Sequence, residues 1–215
     1  MDVIKPIIDT KELIAKENIL KEFDYAVEQE KKIENVSFEN EELFETDFYG
    51  IEIRKSIFKN LKIQNSKLER LYLVDVIFEN CDFSNTSFYE ANLTRVTFIN
   101  CKLAGCNFAE AKLNNVYVKE SNCNYTNYSL SKISETEFNN SFLKNAAFQE
   151  VIFKDIKFKE SDLSQIQFFK TSLNNIDFRT DNISGISVDI PSLRGAIVDT
   201  FQAVEISNIL GIIIK

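Results

Sequence analysis

The sequence predicts a solenoid, a chain wound into one long coil, and three observations predict it. From Ile33 to Val198 every fifth residue is apolar, 34 consecutive hits in a chain that is 44% hydrophobic. Chance would give that run with a probability of about 10⁻¹², so the repeat is read before any helix or strand. Two residues before each apolar centre the chain mostly places something small or β-branched, as at Cys81, Thr86, Ala91, Val96, Cys101 and Cys106. Two residues after the centre Asn recurs eleven times, from Asn35 to Asn175. A period of five fits neither the helix, at about 3.6, nor the strand, at about 2. Asn tolerates the left-handed conformation and bonds its own backbone, so it bends the chain once per repeat in a sequence with only five Gly.

In chain order, residues 1–32 lie outside the register. Leu13, Ile14, Ile19, Leu20, Phe23, Ala26 and Val27 fall near helical spacing and predict a helix over roughly 10–31, with Asn18 and Phe23 as the points where it would break. An open coil end exposes strand edges and apolar side chains, so this segment is expected to cap it. The repeat occupies 33–198. It starts with an acidic cluster at Glu39, Glu41, Glu42, Glu45 and Asp47, and Glu41 stands where a small inward residue belongs, which predicts a distorted first coil.

The pattern is cleanest from Ile51 to Leu113. Between Tyr117 and Leu130 the centres weaken to Val118, Cys123 and Tyr128, which fits a coil with smaller fillers better than an excursion of some multiple of five. After Val198 the pattern stops, and 199–215 form a separate module. Asp199-Thr200 predicts a helix cap, Phe201 to Leu210 the helix, Gly211 its stop, and Ile212 to Ile214 a last strand. So apolar a tail must cover the last coil, a second copy of the chain, or both.

Composition narrows the function. With 33 Asp and Glu against 25 Lys and Arg, the net charge is −8, which argues against direct nucleic-acid binding. No apolar run reaches about 18 residues and the first residues do not begin a secretory signal, so a cytoplasmic protein without membrane contact is expected. There is no His, and the four Cys all occupy inward positions of the repeat. No metal, no cofactor and no enzymatic chemistry are therefore expected.

Triplets such as Cys81-Asp82-Phe83, Ala91-Asn92-Leu93 and Ser161-Asp162-Leu163 resemble the pentapeptide-repeat family, Ala-(Asp/Asn)-(Leu/Phe)-X-X. The resemblance implies an all-β solenoid, a right-handed quadrilateral parallel β-helix in which four units make a coil of twenty residues. The repeat would then give about 8.5 coils and a rod of roughly 40 Å at the interstrand spacing. Taken in twenties, the chain lines up Phe38, Phe58, Phe78 and Phe98 in one column and Phe88, Phe108, Tyr128 and Phe148 in another. Outward positions on the Phe48–Val188 face are mostly acidic, against Lys67, Arg70 and Lys170, whereas the Ile53–Leu193 face carries more Lys and Arg.

The ending from Ser192-Leu193-Arg194-Gly195 to Leu210-Gly211-Ile212 is similar to that of the Qnr- and MfpA-type quinolone-resistance members. That resemblance implies a tail-to-tail homodimer with Phe201, Ile206, Ile209 and Leu210 at its interface. It also implies a DNA-mimicking rod that binds DNA gyrase or topoisomerase IV and protects it from fluoroquinolones, through Glu90, Glu110, Glu150 and Asp189. The unbroken register leaves little room for the loops of some Qnr members and is nearer the loopless MfpA type. An interaction scaffold with another partner, or immunity to another gyrase poison, is the alternative.

Overall fold

Every fifth residue from Asn35 to Asn175 has a positive φ, between 43° at Lys55 and 71° at Gly50. Each is a left-handed corner, and the intervening residues run extended between corners. In the computed structural model, which describes residues 2–213, this produces a parallel β-solenoid of about nine turns with two short helices. Consecutive turns pair in register at twenty residues, as Leu73, Leu93 and Leu113 do.

Two adjoining sides of the coil merge into eight-residue strands, Glu52–Lys59, Tyr72–Glu79, Asn92–Ile99 and Lys112–Lys119, stacked in that order. On the other sides three-residue strands such as Lys62–Gln64, or single bridges such as Asp82 to Lys102, keep the same spacing.

The apolar centres point inward and form one continuous core. Phe38, Phe58, Phe78 and Phe98 stack with centroids 5.8, 5.1 and 5.1 Å apart. In the next column Phe88, Phe108, Tyr128 and Phe148 stack at 4.7, 5.4 and 4.6 Å, offset contacts that add to simple burial. The coil continues through 117–130 without an excursion, because Tyr128 fills a Phe position and pairs its hydroxyl with the buried Cys123 thiol. Burial pushes that thiol up to about 12.

The small inward column does more than leave room. Its hydroxyls and thiols donate to a carbonyl 23 residues earlier, as Thr86 Oγ1 does to Ile63 (2.7 Å), Cys106 Sγ to Phe83 (3.0 Å) and Thr171 Oγ1 to Phe148 (2.8 Å). Each such bond ties one turn to the previous one, which is why Ser, Thr and Cys alternate with Ala and Val there. Outside, Asn corners form ladders: Asn60 Nδ2 donates to Asn40 at 3.0 Å and Asn100 Nδ2 to Asn80 at 2.8 Å.

Both ends depart from the expected elements. The N-terminal helix, α1, covers only Ile19–Glu28, because Asn18 adopts φ 64° and its side chain accepts from Lys21 N (3.0 Å) to start it. Before it, Ile14–Ala15, β1, adds a parallel strand beside Val36 and Ser37. Ile19, Phe23 and Ala26 are buried, and Phe23 packs edge-on against Phe48 at 5.1 Å. Glu41 does not distort the first coil. Its carboxylate accepts from Asn18 N at 2.7 Å, while Glu42–Phe44 pairs normally with Lys62–Gln64.

The C-terminal helix, α2, is Thr200–Ser207, opened by a capping box between Asp199 and Gln202. Gly211 at φ 70° closes it, with Ile212 N bonded to Ser207 O and Gly211 N to Asn208 O. Ile212 and Ile213 form no strand, since the Ile212 N–H is used in that closure; Ile214 lies outside the described residues.

Candidate protein-interaction surfaces

The outward positions carry the candidate sites. Corner positions one turn apart form straight columns, and Glu90, Glu110 and Glu150 share one, at φ 56°, 58° and 55°. The same column holds Arg70 and Lys170, and parallel stacking brings opposite charges together. Glu90 pairs with Arg70 and Glu150 with Lys170 at 2.8 Å. Glu110 is the carboxylate of this row without a cation among the described residues; it accepts from Tyr89 Oη at 2.8 Å. That bond pushes the Tyr89 hydroxyl up to about 12.

Asp189 stands on the same face in the adjoining column and is absorbed by local structure. Its carboxylate accepts from Lys170 N (2.6 Å) and from Ser192 Oγ (2.8 Å), capping the 3-10 turn Ile190–Leu193. These bonds, that from Lys170 N foremost, hold it below the usual carboxylate range. The row therefore exists as geometry but is partly neutralised. Pairs twenty residues apart recur on other faces, as Lys67 with Asp47 (3.1 Å) and Lys59 with Glu79 (2.9 Å). Exposed pairs of this kind contribute little to stability, yet they set how much charge a partner meets.

At the C-terminal end α2 divides the expected interface residues. Ile206 and Ile209 pack against the last turn of the core. Gln202 anchors the helix, donating to Phe178 O (2.7 Å) and Asp181 O (2.8 Å). Phe201 is 84% exposed, and Val204, Leu210, Ile212 and Ile213 are exposed with it. A free apolar surface thus terminates a polar rod.

Sequence reading missed a third surface. Residues 2–8 belong to no helix or strand and run across the stacked strands, with Ile4 N bonded to Asn115 Oδ1 (2.8 Å) and Ile7 N to Asp75 Oδ1 (2.9 Å). Pro6, which holds its predecessor out of helical space, was the available signal. Chemistry has little to work with: Cys81, Cys101, Cys106 and Cys123 are free and buried.

Residues 71–148 match the family profile described as "Pentapeptide repeat region". Over that stretch the solenoid carries pentapeptide repeats. A profile described as the SV2A/B/C luminal domain also matches, over 15–108. No curated protein matches the chain. Among solved structures it is similar to a trypsin-treated variant of QnrB1, described as a plasmid-mediated fluoroquinolone resistance protein: 21% identity, 86% of this chain and 90% of that one, TM-score 0.49. Full-length QnrB1 gives 16% identity, 80% and 100% coverage and 0.49. HetL, a pentapeptide repeat protein involved in heterocyst differentiation regulation from the cyanobacterium Nostoc, gives 12%, 85% and 100%, and 0.27. The fold itself is legible in this chain's own corners and register. No helix among the described residues is long and apolar enough to cross a membrane.

Proposed function

We propose that this solenoid acts by binding a protein, as a cytoplasmic tail-to-tail homodimer whose rod engages DNA gyrase or topoisomerase IV and protects it from fluoroquinolones. The observation that carries the binding reading is the free apolar surface around Phe201 at the end of a capped, well-anchored helix. Burying it against a second copy removes apolar area from water and doubles the rod. The choice of topoisomerase rests on the sequence resemblance at the C-terminus and on the net charge of −8, which suits a basic DNA-binding saddle.

The ion pairs at Glu90 and Glu150 favour a second reading, an interaction scaffold or immunity protein with a different partner, because they leave Glu110 as the least compensated carboxylate of the row. Supercoiling by purified gyrase in ciprofloxacin separates the two. The topoisomerase reading expects wild type to restore supercoiling and the variant with Glu90, Glu110 and Glu150 all changed to Gln to restore far less. A wild-type protein that restores nothing supports the scaffold.

A further inference from the structure

The N-terminal segment occupies a site whose repeat matches its own. Asn115 and Asp75 stand at the same corner two turns apart, about 9.6 Å at the interstrand spacing. Ile4 and Ile7, whose N–H groups they accept, are three residues apart, and an extended chain covers three residues in about 10 Å. Three peptide residues therefore step over two turns of the coil.

Each acceptor is fixed by the corner residue of the following turn. Arg95 grips Asp75 through Nε (2.6 Å) and Nη2 (2.7 Å), and Glu135 accepts from Asn115 Nδ2 at 2.7 Å. Both acceptors are only 5% exposed. Burial alone would raise the Asp75 carboxyl; Arg95 and the Ile7 N–H outweigh it and hold the group charged. The column continues in the same alternation, Asn35, Asp75, Asn115, Asp155, an Asn or Asp at every second turn. Between the two occupied acceptors Thr97 faces outward on Asn92–Ile99, yet it is 5% exposed and its hydroxyl has no partner among the described residues. Lys5 lies over the Tyr117 ring, 5.4 Å from its centroid.

We propose that this column is a binding ladder for an extended peptide, read through main-chain N–H groups three residues apart, and that residues 2–8 are its resident occupant in the free protein. The ligand is a partner segment in extended conformation with branched aliphatic residues, a cation over Tyr117 and a polar group opposite Thr97, which the resident strand leaves unpaired. Binding displaces the strap and exposes the long-strand face.

The test uses the full chain with Ile4→Pro and Ile7→Pro, which removes both N–H donors and keeps the segment extended. The probe is a fluorescently labelled synthetic peptide of residues 2–9, read by anisotropy, with thermal melting to verify that each variant is folded. The ladder predicts that the double variant binds the peptide at least tenfold more tightly than wild type, whose site is filled. It also predicts that adding Asp75→Ala and Asn115→Ala, which removes both acceptors, abolishes the gain. Equal binding to wild type and double variant, no binding to a folded double variant, or binding that survives loss of both acceptors overturns the proposal.

Discussion

Left-handed corners are the residue-scale device of this fold, and many are occupied by side chains that resist the conformation. Leu130 has φ 62°, is exposed, and follows a column in which Gly50 meets the same demand without a Cβ. Leu130→Asn is expected to raise stability by about 0.5–1 kcal/mol in denaturant titrations, because Asn visits this region at lower cost. Asp181 is the opposite case, a charge one turn beyond Ser121, Ser141 and Ser161 of the same inward column. One carboxylate oxygen accepts from Ser161 N at 2.8 Å and the other has no partner. Burial pushes it up to about 6, so the folded state prefers the protonated form. The stabilisation is present below the ordinary carboxylate range and is lost as pH rises through 6. Asp181→Asn should therefore raise stability by about 2 kcal/mol at pH 7 and by little at pH 4, measured as melting curves across that range. An unchanged difference across the range contradicts this account of Asp181.

At the scale of elements, the repeat was legible because each unit obeys the same inward rule; one period specified 34 units and the aromatic columns. The termini were less so. Helical spacing from Leu13 to Val27 was real only within α1, since Asn18 turns the chain and the residues before it find strand and corner partners on the coil surface. Those partners, from Val36 to Asp75 and Asn115, are distant in sequence, which no local pattern encodes. The cap of α2 and the glycine after it were local signals, though the helix ends at Ser207 and not at Leu210; the inward placement of Ile206 and Ile209 and the outward placement of Phe201 depend on how Gln202 docks the helix. Phe201→Glu is expected to convert the proposed dimer to monomer in light scattering at micromolar concentration without loss of helix α2. A dimer that persists removes this surface from the interface.

For the whole molecule, charge is distributed by stacking. A twenty-residue turn places like positions one above another, so sequence alone showed that Glu90, Glu110 and Glu150 align. It also put Arg70 and Lys170 on that face; that they pair with Glu90 and Glu150 is what the structure adds. The rod therefore presents a patterned surface and not a continuous acidic rail, and within this row Glu110, which accepts from Tyr89 and has no cation among the described residues, is the position where a single neutral substitution removes uncompensated charge. The direct test of the account is binding of the purified protein to immobilised gyrase across a salt series, with Glu110→Gln alongside. The account predicts binding at low salt that weakens steeply as salt rises, and a several-fold weaker variant with a shallower salt slope. No binding at low salt, or binding indifferent to both salt and Glu110→Gln, would contradict it.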